Sequence, residues 1–456
     1  MKILFVRPGP DEETIGLQHV MVVEPLELEV LATLAGSSHH SLIVDLILEK
    51  KSIGYFIKRE VPDLLCVTGY ITNVHRMISC CQTAKNINSG IITITGGVHC
   101  EVCPDDLNDE SVDYRVVRNA TVVFPQLLEF LMGKQNFPRG VLRYKEPHVL
   151  SELPPFDFYY PIPDRKLTAG YRKKYFYIFH KRVALIKTSF GCPYTCNFCF
   201  CRVITRGRYY ERPLDEVIAE LGSIKEKNIY IVDDDFLTGK TRVNDFIEAH
   251  RAAGLSKNYL LYGRADFIAN HPEVIKDFRS IGLKTVIVGI ESFYDHELKG
   301  YNKNTDSSTN ERALKVLNSN KIDCYATIII SPAWGQDDFD HCGRKIRELN
   351  IHYVNLQPFT PLPGTGSRVA ADELIIPYTD YAKWDLAHVT IRPDKMSTAD
   401  FYKNILSMYQ SILFQPRFLF DYIKKYDPFM LYRMIRGSFM VRRQYRLKIK
   451  EAKQNA

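Results

Sequence analysis

Three cysteines, Cys192, Cys196 and Cys199, lie within one stretch, Thr188 to Cys201, in a Cys-x3-Cys-x2-Cys spacing. The apolar, β-branched run Val183 to Lys187 before them reads as a strand, and Gly191-Cys192-Pro193 as the turn that ends it. Three thiolates on one loop can hold three irons of a cubic 4Fe–4S cluster and leave the fourth iron without a local thiolate. Structural zinc takes four ligands, usually from two pairs, so three in one loop fit it poorly. An iron open to a small molecule is a place for chemistry. The competing readings are three buried thiols or a zinc knuckle. Cys201, just beyond the triad, reads as a bystander thiol.

Such a loop needs a scaffold. From Val183 onward the patterns alternate: strands over Val183–Thr188, Ile229–Asp233, Tyr259–Gly263, Thr285–Gly289, Tyr325–Ile330 and Tyr353–Gln357, with helical spacing between them. Six strand–helix units predict an open, partial (β/α)6 barrel with its active groups at the carboxyl ends of the strands. Polar residues gather there: Asp233-Asp234-Asp235, Arg264-Ala265-Asp266 and Glu291-Ser292. By themselves these are hydrated strand ends or a divalent-metal site.

The triad, its position after a first barrel strand and the aromatic Phe198 before its last cysteine resemble the radical S-adenosylmethionine superfamily. The resemblance implies that Cys192, Cys196 and Cys199 hold the cluster and that the open iron chelates the amino and carboxylate groups of S-adenosylmethionine. One electron then splits the sulfonium and yields a 5′-deoxyadenosyl radical. It implies that Phe198 touches the adenine and that Asp233, Asp235, Arg264, Glu291 and Ser292 contact S-adenosylmethionine. Thr360 to Thr365 is similar to the turn that closes the family's pocket. Ser331 to Phe339 departs from the family's Gly-x-Pro-Gly-Glu, so the substrate-side wall differs.

Residues 1–135 also alternate strand and helix, which predicts a parallel sheet covered on both faces, Rossmann-like or flavodoxin-like. Its ligand loops are Arg7-Pro8-Gly9, Thr68 to Thr72 and Gly96 to His99, with glycines at Gly69, Gly96 and Gly97 where the backbone can approach a bulky ligand. There is no Gly-x-Gly-x-x-Gly after the first strand, which argues against a dinucleotide. Placed ahead of the cysteine triad, with Gly96, Gly97 and His99 matching Gly-Gly-x-His, this region resembles the cobalamin-binding domain of cobalamin-dependent radical enzymes. The resemblance implies cobalamin contacts at Arg7, Pro8, Thr68, Gly69, Thr72, Gly96, Gly97 and His99. The loop after the first strand lacks Asp-x-His-x-x-Gly, so by this resemblance cobalt would have no lower His ligand. Arg118-Asn119-Ala120-Thr121 stands where relatives carry Gly-Glu-Gly-Glu. His99, Cys100 and Cys103 could form a second metal site, but small buried thiols explain them more simply.

Residues 136–182 read as a linker: Pro-rich through Leu153-Pro154-Pro155-Phe156-Asp157, then basic and Tyr-rich, extended along a surface. The barrel spans 183–370. Residues 371–456 read as a helical, basic region, a cap over the barrel mouth or a basic aromatic surface for a membrane or lipid-like substrate. The net charge of +7 comes from this tail, where twelve Lys and Arg after residue 400 face three acids. No long uncharged apolar run and no signal-peptide pattern occur, and eleven cysteines in 456 residues suit reduced thiols, so the expected location is the cytoplasm. No nucleic-acid recognition module is visible.

By the resemblance, the chain is a cobalamin-dependent methyltransferase acting on an unactivated carbon of a small molecule or lipid-like substrate, with flavodoxin or ferredoxin as electron donor. One S-adenosylmethionine methylates cobalamin; a second gives the radical that activates substrate. Residues 334–339, the 361–365 turn and the tail resemble hopanoid methylases. The rivals are a non-methylating radical cyclase and a cobalamin-binding sensory protein with a structural cluster.

Overall fold

The computed structural model describes residues 1–15, 20–149, 153, 157–367, 369–413, 415–426 and 428–454. Pro154, Pro155 and Phe156 of the expected linker lie outside the described residues, as do the side chains of Leu419, Phe420 and Phe429 in the tail.

The first half runs β1 (Lys2–Arg7), β2 (Met21–Val22), α1 (Leu26–Ala35), β3 (His40–Asp45), α2 (Ile53–Glu60), β4 (Leu64–Thr68), α3 (Val74–Ile87), β5 (Ile92–Gly96), α4 (Val98–Val102), β6 (Tyr114–Val116), α5 (Ala120–Leu131) and β7 (Val141–Arg143). The sheet order is β3-β1-β4-β5-β6-β7. All neighbours are parallel except the edge strand β7, which sequence reading placed in the linker. Ile3, Leu4, Phe5 and Val6 are fully buried because both faces of β1 carry helices.

The second half runs β8 (Phe176–Tyr177), β9 (His180–Lys181), β10 (Val183–Ile186), β11 (Ser189–Phe190), α6 (Cys201–Thr205), β12 (Tyr210–Glu211), α7 (Leu214–Ser223), β13 (Asn228–Ile231), α8 (Lys240–Ala252), β14 (Asn258–Gly263), α9 (Ala265–Asn270), α10 (Pro272–Ser280), β15 (Leu283–Glu291), α11 (Asp295–Gly300), α12 (Ser307–Ser319), β16 (Asp323–Ile330), α13 (Gln336–Glu348), β17 (Tyr353–Pro358), α14 (Thr398–Leu413), α15 (Pro416–Lys425) and α16 (Pro428–Gln454). Strands β10-β13-β14-β15-β16-β17 form one parallel sheet in sequential order, an open six-stranded barrel.

The barrel strands alternate between two cores. Ala184, Ile186, Ile229, Ile231 and Leu261 pack outward under the helices. Leu185, Tyr230, Leu260 and Ile287 point into the lumen, where Leu26, Tyr177 and Met21 fill it. The plug comes from β2 and β8, which pair although they lie far apart along the chain: Met21 lies opposite Tyr177 and Val22 opposite Phe176. The basic, Tyr-rich end of the expected linker is therefore buried structure, with Tyr175 and Tyr177 nearly inaccessible. Aromatic residues in a stretch without helical or strand periodicity carry that burial.

An open barrel exposes two strand edges whose amides and carbonyls need partners. At β10 the Leu185 amide donates to Glu24, and the Leu185 carbonyl accepts from Arg165 at 2.6 Å. Arg165 also reaches Glu220 at 2.7 Å, and Arg172 reaches Glu24 at 2.8 Å and Glu226 at 2.7 Å. Side chains from the segment before α1, the former linker and α7 thus clasp the strand that feeds the cysteine loop. At the other edge, Tyr409 of α14 accepts from the Leu356 amide at 2.9 Å and donates to its carbonyl at 3.2 Å. Tyr422 donates to the His352 carbonyl and Tyr426 meets the Tyr353 hydroxyl. The tail helices therefore close the β17 edge. They begin at Thr398, not at residue 371; residues before that form turns and a Leu374–Ile391 bridge.

Candidate active site

The cysteine loop follows a strained turn. Gly191 has φ +87°, and a Cβ there would lie 2.2 Å from the Arg208 carbonyl, so only glycine fits. The Gly191 amide donates to Asp234 at 2.9 Å. Neighbouring Asp233 accepts from the Thr188 amide at 2.6 Å, from the Ser189 hydroxyl at 2.7 Å and from the Thr188 hydroxyl. Its oxygens are taken up in joining β13 to β10, so Asp233 acts as a strut beneath the site. On the far side the loop is bracketed by residues 300–302: Asn197 donates to the Gly300 carbonyl and Asn302 to the Thr195 carbonyl, both at 2.8 Å. Phe198 meets Tyr301 edge to face at 5.8 Å.

Cys192, Cys196 and Cys199 are all partly accessible, unlike Cys66, Cys81 and Cys100, which are buried. Burial pushes the Cys192 thiol up to about 12, whereas a hydrogen bond from Cys201 holds Cys199 below the ordinary thiol range. Cys201 is thus in contact with the triad rather than apart from it.

Asp235, Arg264, Glu291 and Lys303 converge on the loop. Arg264 stacks 3.7 Å over Tyr194, places a guanidinium nitrogen 3.8 Å from Cys196 Sγ, donates to the Lys303 carbonyl at 2.7 Å and pairs with Asp266 at 3.0 Å. Glu291 sits at a break in the β15–β16 register with φ +58°, a costly conformation for this residue, and pairs with Lys303 at 2.9 Å. Gly289 makes room: a Cβ there would lie 2.3 Å from Glu291 Oε1. Burial opposes the Lys303 charge, but Glu291 and Cys196 hold its ammonium above the ordinary lysine range. Lys303 and Asp234 were not singled out from the sequence; a lysine in a polar loop carries no periodic signal. Ser292 is fully buried, hydrogen-bonded to Glu297 and accepting from the Tyr294 amide at 3.0 Å, so it shapes the turn into α11.

Asp235 Oδ2 is buried without a hydrogen-bond partner, and burial raises this carboxyl to about 7 despite Arg264 nearby. An unpaired buried acceptor beside three thiols, with cationic and anionic side chains adjoining, suits a cluster and a zwitterionic amino acid bound to it.

Across from this loop stand the carboxyl ends of β1, β4 and β5. Arg7 pairs with Asp45 in two hydrogen bonds and ties β1 to β3. The β4 and β5 loops lie against each other: at Gly97, φ +95°, a Cβ would meet Thr68 Oγ1 at 2.4 Å. Glycine is therefore demanded by loop-on-loop packing as well as by any ligand. Pro8 and Thr72 flank the same end. His99 is buried, pairs with Asp106 at 2.8 Å and packs on Tyr381. Among the described residues, His99, Cys103 and Asp106 form a group with ligand atoms within 4.8 Å of one another; Cys100 turns away to the Thr95 carbonyl. Asn119 takes φ +50° at the start of α5, a conformation asparagine tolerates. Arg118 beside it reaches the Ile204 carbonyl of α6 at 2.5 Å, joining the two halves. Gly364, φ +80°, is wedged between Val102 and Val203.

The two sheet ends thus face one space. Tyr70 after β4 is 60% accessible and Tyr262 of β14 is 38% accessible. Surrounding protein nevertheless raises both phenols, with Asp234 and Cys201 among the charges that Tyr70 feels. They stand in the accessible hollow between the two sheet ends.

The radical SAM superfamily profile matches residues 186–346, and the B12 binding domain profile matches residues 13–128. The chain is 28% identical to hopanoid C-3 methylase of Methylococcus capsulatus over 425 residues, covering 90% of this chain and 80% of the relative. The solved structure of the cobalamin-dependent S-adenosylmethionine radical enzyme OxsB with aqua-cobalamin and S-adenosylmethionine superposes with a TM-score of 0.70 at 14% identity, covering 96% of this chain and 71% of that one. The radical S-adenosylmethionine methyltransferase TsrM from Kitasatospora setae, with cobalamin and a [4Fe-4S] cluster, gives a TM-score of 0.67 at 15% identity, covering 98% and 99%. With both domains in this order and the fold shared along nearly its whole length, the chain belongs to the radical SAM superfamily as a cobalamin-dependent member.

Proposed function

We propose that the protein methylates an unactivated carbon of a small-molecule or lipid-like substrate held in the hollow between the two sheet ends. The carrying observation is that hollow: the cysteine loop opens on one side and the β4 and β5 loops on the other, with Tyr70 and Tyr262 between them. Cluster, S-adenosylmethionine and cobalamin, when bound, supply a carbon radical and a methyl donor.

The chain's own residues supply position and electrostatics. Cys192, Cys196 and Cys199 would hold the cluster. Arg264 beside Cys196 would offset the negative charge of the thiolates. Asp235, whose Oδ2 lacks a partner, would receive the methionine ammonium, and that cation would keep it ionised. Glu291 and Phe198 would take the ribose and the adenine. Thr68, Gly69, Thr72, Gly96 and Gly97 would contact cobalamin through the β4 and β5 loops, with Arg7 and Pro8 shaping the wall. Exclusion of water once substrate and cofactors fill the space would protect a radical from quenching. The required electrons would come from a flavodoxin or ferredoxin.

The test is anaerobic reconstitution with reductant. S-adenosylhomocysteine should form only when cobalamin is bound, and 5′-deoxyadenosine only when all three cysteines are intact. Deoxyadenosine that persists in Cys196→Ala, or homocysteine product formed without cobalamin, would refute the assignment.

A further inference from the structure

Helix α16 is anchored on one side and bare on the other. Its inner side packs: Tyr445 is 2% accessible and meets Tyr402 and Tyr409 at about 6 Å, with centroids at 6.0 and 6.1 Å, while Gln444 donates to the Thr14 carbonyl at 3.2 Å. The outer side should then be polar. Instead Tyr432, Ile435, Phe439 and Leu447 are 61%, 70%, 63% and 50% accessible. They recur at helical spacing along one stripe, and Ile423 of α15, 66% accessible, extends the patch.

The polar residues on this stripe are all cationic: Arg436, Arg443, Arg446 and Lys450 are exposed among the apolar side chains. The one carboxylate of the helix, Glu451, is engaged by Lys448 at 2.9 Å. Apolar side chains interleaved with cations, without acids, match a surface that is apolar inside and anionic at its border. A nucleic-acid backbone would leave Ile435 and Phe439 in water; an acidic protein would need fewer bare aliphatics. No helix among the described residues is long and apolar enough to cross a membrane.

We propose that the outer face of α16, with Ile423, docks the enzyme on an anionic lipid bilayer, with Ile435, Phe439 and Leu447 inserted below the headgroups and Arg436, Arg443, Arg446 and Lys450 at the phosphate level. The tail helices sit on the β17 edge of the barrel. Long basic side chains suit the role because their stems join the apolar layer while their charges stay at the headgroups.

The test is flotation of reconstituted holoenzyme with vesicles of phosphatidylcholine alone or with about a third phosphatidylglycerol. Holoenzyme should float with the anionic vesicles, and weakly or not at all with the neutral ones. Raising the salt to about 1 M should cut binding severalfold. Ile435→Ser with Phe439→Ser should lower the partition coefficient tenfold or more. Arg443→Gln should lower it about fivefold, on anionic vesicles only. Both variants should keep the cluster absorbance and circular dichroism of the parent, because these side chains are exposed. Failure of the holoenzyme to float, or equal flotation of the double variant, would overturn the proposal. So would a solution dimer, or a complex with an acidic reductant protein, that the same substitutions abolish while vesicle binding is missing. Vesicle binding needs no turnover, so its failure leaves the methyl-transfer reading standing, and failure of methyl transfer leaves the docking result standing.

Discussion

Eleven thiols are present, and the proposed iron ligands are the three that share the Cys-x3-Cys-x2-Cys loop, Cys192, Cys196 and Cys199. Cys192→Ala, Cys196→Ala and Cys199→Ala should each abolish the 4Fe–4S absorbance after reconstitution, whereas Cys100→Ala and Cys103→Ala should retain it. Loss of the cluster in either of the latter would mean that different thiols hold it. Spacing made this triad legible, because iron ligation restricts both residue type and reach. The pair that serves the triad was only half legible: Glu291 follows a predicted strand, but Lys303, twelve residues on, is recruited by a turn that no periodicity marks. Glu291→Gln leaves the Lys303 ammonium buried without a counter-charge and should cost about 3 kcal/mol of stability. It should also weaken S-adenosylmethionine binding while sparing cobalamin; equal loss of both ligands in equilibrium dialysis would make Glu291 purely structural.

Strands and helices were readable wherever burial repeats with period 2 or 3.6, and so both parallel sheets were expected in the correct order. The plug β2–β8 and the edge strand β7 were not, because two or three residues give no period and their partners lie far along the chain. The clasp on β10 was equally hidden, since Glu24, Arg165 and Glu220 come together only in the fold. It carries a pH signature. Burial, then repulsion from Glu24, pushes the Glu29 carboxyl up to about 8. A carboxyl raised in the folded state binds more protons there than in the unfolded chain. Its contribution is thus complete below the unfolded value of about 4.3 and is lost as the pH rises through about 8. Thermal unfolding should show stability falling across that window, and Glu29→Gln should flatten the fall. An unchanged slope in the variant would assign the pH dependence to another group.

At the scale of the whole molecule, two parallel sheets present their carboxyl ends to one another, held by the β10 clasp, by Arg118 on Ile204 and by Gly364 between Val102 and Val203. Domain order was legible because each half has its own motif; the face-to-face arrangement was not, because it rests on single contacts between distant loops. The loop after β1 carries no Asp-x-His-x-x-Gly, so cob(II)alamin bound to the protein should show no nitrogen superhyperfine splitting by electron paramagnetic resonance. Clear nitrogen coupling would place an unexpected imidazole on cobalt. The most direct measurement of the central claim is the product balance at full substrate conversion, with reductant, cobalamin and S-adenosylmethionine supplied anaerobically. Methyl transfer through both sites predicts 5′-deoxyadenosine and S-adenosylhomocysteine in equal amounts, one of each per methylated product. Complete conversion with deoxyadenosine and no S-adenosylhomocysteine would contradict it and identify a radical cyclase or rearrangement enzyme instead.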